Sequence, residues 1–191
     1  MLLVLDNYDS FTYNLADALR AVNPDWRVVR NDDPEAMACV AQARALVLSP
    51  GPGLPETSGV LLEAIRWADG RIPVLGICLG MQALAVANGG TLRRLEAPRH
   101  GIPGAVAHVV LNAPLPPHAL QAPVGLYHSW AVETLPEDGP WQLSAWDASG
   151  VPLAMHRRDG KGVAVQFHPE SILTPWGREW LQDWARAQNR G

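Results

Sequence analysis

Cysteine is scarce in this chain of 191 residues, which contains only Cys39 and Cys78. Two cysteines cannot form a disulfide framework or a zinc site, so the sequence predicts a reducing compartment, the cytoplasm. Long apolar runs are also absent, since no stretch approaches the ~20 residues that a membrane span requires. The first residues contain no basic leader, so a secretory signal is not expected.

Charge of either sign is sparse and evenly spread along the chain. The 15 Lys and Arg residues against 19 Asp and Glu residues give a net charge of −4. Because the basic residues do not cluster, the sequence argues against nucleic acid or an anionic membrane as a partner, and favours a protein or a small molecule. The length and the hydrophobic content of 48% fit one globular domain that covers residues 1–191.

The first half of the chain alternates short apolar strands with helices. Strands are predicted at 2–5, 26–29, 45–48 and 74–77, and helices at 11–22, 34–43, 58–68 and 80–88. This order predicts a three-layer, flavodoxin-like α/β fold with a mostly parallel central sheet and helices on both faces. Ligands of such folds bind beyond the carboxyl ends of the strands.

The second half has a different pattern, in which short apolar runs alternate with proline and glycine turns. These runs predict a part rich in antiparallel strands, at 105–111, 124–127, 141–146 and 152–156. Residues 112–117 are predicted to form a surface loop. An apolar strand with one polar residue follows at 162–167, and then a helix at 175–187 whose tryptophans, spaced four apart, indicate a packing or docking face.

Cys78 stands where the strand 74–77 meets the next helix, with Gly76 and Gly80 on either side. A side chain on such a turn points away from the sheet, beside the first N–H groups of the helix. The helix N-terminus stabilises a thiolate, and its N–H groups can bind an oxyanion. The pattern indicates a nucleophile, although packing at a strand end, which is predicted for Cys39 within its helix, is the alternative.

A cysteine nucleophile needs a base, and a carboxylate that orients this base. His168 and Glu170 directly follow the strand 162–167, which we expect to lie near the strand 74–77. The choice of base is open at this point, because five other histidines are present: His100, His108, His118, His128 and His156. His128, in the segment Tyr-His-Ser, is the strongest competitor.

The segment 49–55 contains three prolines and two glycines in seven residues. Such a composition fits neither a helix nor a strand ladder, so it predicts a stiff loop after the strand 45–48. Glycine lets a ligand approach exposed backbone N–H groups closely. A connector without function is the alternative.

Six segments together resemble the triad (class I) glutamine amidotransferases, and more narrowly the glutaminase subunits (component II) of anthranilate synthase and aminodeoxychorismate synthase. These segments are 6–14, 49–53, 76–80, 100–101, 127–129 and 167–171. They occur in the order that the family has and span nearly the whole chain.

The resemblance implies that Cys78 attacks the carboxamide of L-glutamine, that His168 acts as base and then as acid, and that Glu170 orients His168. It implies contacts to glutamine or to the oxyanion from seven further residues: Gly51, Pro52, Gly53, Leu79, Gln82, Ser129 and Trp130. The ammonia would pass to a chorismate-using synthase subunit, component I. Mg²⁺ is expected in that partner, whereas no metal or cofactor is expected in this chain.

Two positions depart from the narrower pattern, which usually has His where this chain has Met81 and Leu where it has Trp130. The segment 101–123 also matches poorly. Anthranilate formation, in tryptophan biosynthesis, is the first expectation, and aminodeoxychorismate formation, in folate biosynthesis, or a subunit shared by both is the alternative.

Two hypotheses from other classes keep the fold and change the function. A non-catalytic regulatory module predicts loss of the catalytic residues, and four of them are present: Cys78, His168, Glu170 and Gln82. A γ-glutamyl hydrolase or a cysteine protease of related fold would keep the cysteine turn, but the blocks 7–14 and 168–171 argue against it.

Overall fold

The computed structural model describes residues 1–111 and 113–188. The strands are β1 (Leu2–Asp6), β2 (Trp26–Arg30), β3 (Ala45–Leu48), β4 (Val74–Ile77), β5 (Thr91–Ala105), β6 (His108–Val109), β7 (Pro123–Thr134), β8 (Trp141–Trp146), β9 (Pro152–Arg157) and β10 (Gly162–Val165). The helices are α1 (Thr12–Arg20), α2 (Ala36–Gln42), α3 (Leu61–Ala68), α4 (Leu79–Ala87) and α5 (Gly177–Ala187).

The central sheet has eight strands in the order β2-β1-β3-β4-β10-β9-β8-β6. The neighbours from β2 to β10 pair parallel, and β9, β8 and β6 continue the sheet antiparallel. Parallel neighbours need crossover connections, and the helices of the first half supply them. The predicted α/β fold, with a mostly parallel sheet flanked by helices and an antiparallel second half, is confirmed.

Alternate residues of the buried strands face two separate apolar clusters, because successive side chains of a strand point to opposite faces. In β1, Leu3 and Leu5 pack with α2, α3 and α4. Leu2 and Val4 pack with α1 and α5 instead. Cys39 lies in the first cluster with 4% of its surface exposed, so the predicted packing role of this cysteine is confirmed.

The tryptophan stripe of the last helix packs against the second cluster. Trp176, Trp180 and Trp184 are partly buried there, and the ring of Trp176 meets that of Phe167 edge-on at a centroid distance of 5.5 Å. The apolar face of α5 therefore covers the sheet, as its spacing indicates.

The largest correction concerns a second, two-stranded sheet that β5 and β7 form by antiparallel pairing. We call this sheet the ribbon. The predicted antiparallel strands of the second half do not include 91–104, a segment that two prolines and two glycines interrupt. The register shifts between Arg94 and Arg99, and between His100 and Ile102, and such irregularities accommodate residues that a regular ladder cannot hold.

Other strand predictions change in their bounds. The predicted strand 105–111 shrinks to the two residues of β6, and β7 is much longer than the predicted 124–127. The strand β10 ends at Val165, two residues before the predicted end, so Gln166 and Phe167 already belong to the turn that leads to His168.

The helices begin one to three residues away from the predicted starts. The start of α3 moves to Leu61 because Pro55–Thr57 forms a 3₁₀ turn before it. In the predicted loop 112–117, Asn112 lies outside the described residues, and 113–116 have neither helix nor strand. Within 1–111 and 113–188, the helices are too short or too polar to cross a membrane.

Candidate active site

Cys78 occupies a strained turn between β4 and α4. Its φ of 51° and ψ of −103° lie in a region that L-residues other than glycine rarely adopt. The N–H group of Cys78 donates to the carbonyl of Val165 at 2.8 Å, which ties the turn to β10. The residue is 5% exposed, and it precedes the first turn of α4, whose N–H groups favour negative charge. This is the nucleophile turn that the sequence predicts.

The two glycines beside Cys78 are required by close packing. A Cβ atom on Gly80 would lie 2.4 Å from the backbone oxygen of Leu48, and one on Gly76 would lie 2.6 Å from Cδ1 of Leu84. Real Cβ atoms do not approach backbone oxygen so closely. The absence of side chains at these positions therefore lets α4 begin directly against β3 and β4.

His168 and Glu170 form a buried pair behind the cysteine. Nδ1 of His168 lies 2.6 Å from Oε1 of Glu170, and both side chains are almost fully buried. The parallel pairing of β10 with β4 places Val165 opposite Ile77, so the chain segments that follow these two residues run side by side. The sheet thereby brings His168 next to Cys78, although 90 positions of sequence separate them.

The charges around His168 favour its protonated form. Burial alone disfavours an imidazolium, but interactions with Cys78 and with Glu170 outweigh burial and hold the pKa of His168 well above its usual range. Nδ1–H then donates to Glu170, while Nε2 is buried and has no hydrogen-bond partner among the described residues. The imidazole therefore lies beside the sulfur with its Nδ1 bound by a carboxylate, which is the arrangement expected of a base paired with a cysteine nucleophile.

Neighbouring segments fix the imidazole in place. The backbone N–H of His168 donates to the carbonyl of Gly125 at 3.0 Å, and the hydroxyl of Thr174 donates to the carbonyl of His168 at 2.7 Å. The rings of Phe11 and Tyr127 lie 5.7 Å and 4.8 Å from the imidazole, measured between centroids. The histidine therefore has little freedom to rotate.

The loop 49–53 is anchored by Asn7. The backbone N–H of Asn7 donates to Oγ of Ser49 at 2.8 Å, and its side-chain amide donates to the carbonyl of Ser49 at 2.9 Å. A Cβ atom on Gly51 would lie 2.4 Å from the backbone oxygen of Asn7, so only glycine fits there. The block around Asn7 thus positions the loop that faces Cys78.

A cavity of about 260 Å³ opens in front of Cys78. This volume is below the ~300 Å³ at which sites for drug-sized ligands begin, and it suits a molecule as small as an amino acid. The cavity is lined by Gly51, Pro52, Gly53, Leu54, Cys78, Gln82, His100, Tyr127, His128, Ser129 and Trp130. Six of the seven predicted contact residues are in this set. Leu79 is not in this set; its side chain is buried in the core, and its N–H group belongs to the first turn of α4.

Gln82 connects α4 to the ribbon. Its Nε2 donates to the carbonyl of Trp130 at 2.8 Å and to Oε1 of Gln166 at 3.2 Å. The predicted contact residues Gln82 and Trp130 are therefore joined to each other, and the ribbon contributes residues of both of its strands to the cavity lining.

His128, the strongest competitor for the role of base, has the opposite charge preference from His168. Burial, together with the nearby Arg99, lowers the pKa of His128 to about 4, although its hydrogen bond to the backbone carbonyl of Trp130 opposes this. Nδ1 of His128 donates to that carbonyl at 2.9 Å. Among the histidines in the described part of the chain, only His168 is hydrogen-bonded to a carboxylate.

Three residues of the site were not singled out from the sequence. Gln166 donates from Nε2 to Sγ of Cys78 at 3.5 Å, and Thr174 holds the backbone of His168. Asp9 lies close to the buried pair: one potential ligand atom from each of Asp9, His168 and Glu170 lies within 4.8 Å of the other two. Burial raises the pKa of Asp9. The polar Gln166 in an otherwise apolar segment was the one available signal. Nδ1 of His168 is engaged by Glu170, so this trio does not form an open metal site.

Comparisons with known proteins agree with this geometry. The profile of the family described as glutamine amidotransferase class-I matches residues 3–187. The chain is 42% identical over 184 residues to the pyocyanine-specific anthranilate synthase component 2 of Pseudomonas aeruginosa, covering 94% of this chain and 90% of that protein. It is 36% identical over 188 residues to the aminodeoxychorismate synthase component 2 of Escherichia coli, covering 95% of this chain and 97% of that protein.

A solved structure supports the fold. A GMP synthase-type protein from Thermoplasma acidophilum superimposes with a TM-score of 0.82 at 24% identity, covering 99% of this chain and 94% of that one. At this identity the likeness concerns the fold alone. The family match extends over nearly the whole chain and the relatives match over nearly their whole length, so the chain belongs to the class I glutamine amidotransferases.

Proposed function

We propose that this chain is the glutaminase subunit of a two-subunit synthase, and that it hydrolyses L-glutamine and delivers the ammonia to a chorismate-using component I. The observation that carries the proposal is the strained turn of Cys78 beside a His168 whose pKa is raised and whose Nδ1 is bound by Glu170. The family and the component 2 relatives support the same function.

The chemistry begins with a thiolate–imidazolium pair. The thiolate of Cys78 attacks the carboxamide carbon of glutamine, and the carbonyl becomes an oxyanion. The backbone N–H groups of Gly53 and Leu79 bind that oxyanion. The proton on Nε2 of His168 passes to the amide nitrogen, the C–N bond breaks, and ammonia leaves a glutamyl thioester.

Hydrolysis of the thioester returns the site to its starting state. His168, now neutral, takes a proton from water, and the hydroxide attacks the thioester carbon. The C–S bond breaks, which releases glutamate and regenerates the thiolate and the imidazolium. Glu170 keeps Nδ1 protonated throughout, so that Nε2 is the atom that exchanges protons.

The cavity supplies the binding of glutamine. Gly51 and Pro52 form one wall, and Gln82, Ser129 and Trp130 surround the end that receives the α-amino and carboxylate groups of the substrate.

The acceptor of the ammonia is a second part of the proposal. Relatives of the anthranilate and the aminodeoxychorismate type match 94% and 95% of this chain, and we place this subunit with anthranilate synthase, in tryptophan biosynthesis. Aminodeoxychorismate synthase, in folate biosynthesis, is the alternative. Mg²⁺ belongs to the synthase subunit in either case. Two free cysteines, both buried, fit a protein of the reducing cytoplasm.

The test combines the chain with each synthase subunit of the same organism, in the presence of chorismate and Mg²⁺. Cys78→Ala should lower glutamine-dependent product formation by a factor on the order of 10⁴ or more, because the nucleophile is lost. Product formation from added ammonium should remain, since ammonia bypasses the glutaminase site. The matched control is Cys39→Ala, which changes the buried cysteine of α2 and should keep glutamine-dependent activity.

Each outcome has a defined meaning. Anthranilate alone, or aminodeoxychorismate alone, identifies the pathway, and both products identify a shared subunit. Activity of Cys78→Ala with glutamine would contradict the assigned nucleophile. No glutamine-dependent product with either partner, while ammonium still works, would support a non-catalytic module and overturn the proposal.

A further inference from the structure

Gln166 is the most deeply buried polar side chain that contacts the proposed nucleophile. It follows β10 directly, is 0% exposed, and its backbone N–H donates to the carbonyl of Leu153 at 2.9 Å. Burying an amide group without hydrogen bonds costs free energy, so its partners are informative. Both of the partners of the side chain belong to the site: Cys78 and Gln82.

The side chain of Gln166 bridges these two residues, donating a hydrogen bond to one and accepting a hydrogen bond from the other. Its Nε2 donates to Sγ of Cys78 at 3.5 Å, and its Oε1 accepts from Nε2 of Gln82 at 3.2 Å. Gln82 donates its other amide hydrogen to the carbonyl of Trp130 at 2.8 Å. A chain of two amides therefore runs from the wall of the cavity to the sulfur.

A thiolate at this position needs stabilisation other than water, because Cys78 is only 5% exposed. A hydrogen bond donated to a charged group favours the charged form. Among the titratable groups around the sulfur, His168 interacts with Cys78, Glu170 and Asp9 lie next to His168, and His100, Tyr127 and His128 line the same cavity. Gln166 approaches from the end of β10 as a neutral donor, so its hydrogen bond adds to the effect of the imidazolium.

We propose that Gln166 is a positioning residue that acts through both of its partners: its amide N–H holds the Cys78 sulfur as thiolate in the attacking position, and its amide oxygen holds Gln82 against the ribbon. The binding wall and the nucleophile are thereby aligned by one side chain. This inference rests on the proposed glutaminase function for its kinetic consequences, but the hydrogen bond to the sulfur has a consequence that is independent of that function.

Two variants separate the two hydrogen bonds. Gln166→Glu keeps the shape and an acceptor for Gln82, but it replaces the donor to sulfur by a carboxylate oxygen. Gln166→Met keeps a similar volume and removes both hydrogen bonds. The matched control is Gln142→Glu on β8, a partly buried glutamine that bonds to His156 and Arg158 instead. All variants are made with Cys39→Ala, so that Cys78 is the only thiol.

The first readout is the rate of alkylation of Cys78 by iodoacetamide as a function of pH, with the chain alone. In Gln166→Glu, the pH at which the alkylation rate is half-maximal should rise by about 1 pH unit or more, because a carboxylate disfavours the thiolate. Gln166→Met should move it in the same direction by less, and Gln142→Glu should not move it. An unchanged profile in a folded Gln166→Glu variant would overturn the inference, whether or not the chain is a glutaminase.

The second readout is glutamine-dependent activity with the synthase subunit. Gln166→Glu should lower kcat about tenfold or more and leave KM for glutamine within about threefold, since Gln82 stays in place. Gln166→Met should lower kcat and also raise KM. If Gln166 served only folding, both variants should lose activity equally, and KM for glutamine should not differ between Gln166→Glu and Gln166→Met. If Gln166→Glu does not fold, as judged by circular dichroism, an unchanged alkylation profile of Gln166→Met overturns the inference.

Discussion

The two walls of the cavity are built in different ways. The turns after β3, β4 and β10, which we call the carboxyl edge, follow buried parallel strands and carry Cys78, His168 and Glu170. The ribbon is a separate antiparallel pair with an irregular register and many exposed residues in β5. The candidate reacting groups therefore lie on turns that follow buried strands, whereas part of the cavity wall lies on a strand pair with an irregular register and exposed residues.

One histidine in each region shows what the surroundings do to a buried imidazole. His168 and His128 are 2% and 3% exposed. At the carboxyl edge, the Glu170 carboxylate and the Cys78 sulfur raise the pKa of His168 despite its burial. On the ribbon, burial and the nearby Arg99 lower the pKa of His128 to about 4. Burial alone therefore does not decide the charge; the neighbouring groups do.

The first prediction compares the tolerance of the two regions to one added methyl group. Gly80→Ala places a Cβ 2.4 Å from the backbone oxygen of Leu48, within the central sheet, where neither partner can yield. We expect a loss of about 3 kcal/mol in the free energy of unfolding. Gly104→Ala, on the ribbon, meets the side chain of Leu126, with Cδ1 at 2.5 Å and Cγ at 3.1 Å, and because a side chain shifts more easily than backbone, a smaller loss of about 1 to 2 kcal/mol is expected. Urea unfolding of both variants measures the difference.

Equal losses of unfolding free energy in Gly80→Ala and Gly104→Ala would contradict this prediction. Such a result would mean that the ribbon is packed as tightly as the carboxyl edge. Gly160→Ala has no atom of the described residues within 4 Å of the added Cβ but has a φ of +77°, so it separates backbone strain from crowding.

The second prediction uses the pH dependence of stability. His128 is neutral in the folded protein, whereas in the unfolded chain it binds a proton below pH 6.5, its usual pKa. The free energy of unfolding therefore falls as the pH falls from about 6.5 towards 4, and the part due to His128 is up to about 3 kcal/mol. The pKa of His168 is raised, so the contribution of its imidazolium is fully present below pH 6.5 and is lost only as the pH rises through its folded pKa.

Urea unfolding between pH 4.5 and pH 7.5 measures whether the free energy of unfolding falls towards acid pH, as expected for His128. His128→Asn retains a donor for the carbonyl of Trp130 and cannot titrate, so the slope between pH 4.5 and pH 6.5 should become shallower. His108→Asn, which changes an exposed histidine of β6, should leave the slope as it is. A His128→Asn variant with the full slope of the parent chain would show that other groups cause it.

The third prediction has the smallest effect and concerns how the ribbon contacts the substrate. Trp130 is held by its backbone carbonyl, to which both Gln82 and His128 donate. Trp130→Leu should therefore change KM for glutamine by less than about threefold, whereas Gln82→Ala should raise it about tenfold because the ribbon loses its link to α4. Steady-state kinetics with the synthase subunit measure both. If Trp130→Leu raised KM for glutamine as much as Gln82→Ala, the indole ring of Trp130 would itself contact glutamine.

Much of the carboxyl edge could be predicted because its determinants are local. An apolar strand, a cysteine and two glycines define the turn of Cys78, and a His-x-Glu after another strand defines the buried pair. Gln166 and Asp9 were missed as members of the site for a different reason. Their partners lie 88 positions away for Gln166 and about 160 for Asp9, and a glutamine or an aspartate has many ordinary roles at such places.

The ribbon could not be predicted to the same extent. Its strand β5 contains Pro98 and Pro103, which local rules assign to turns. The strand exists because β7 pairs with it across register shifts, and such pairing is a property of two distant segments. The single-domain organisation, the assigned roles of the site residues and the absence of a bound cofactor stay predictions.

The order of the elements, the parallel sheet and the kinds of residue that carry the chemistry follow from local patterns, because periodicity, glycine turns and strand ends act over a few residues. Which histidine is charged, which glutamine contacts the sulfur and which segments line the cavity follow from the packing of the folded chain. Charge state and hydrogen bonding depend on distances of a few ångströms between segments that are far apart in the chain, and only the folded packing sets those distances.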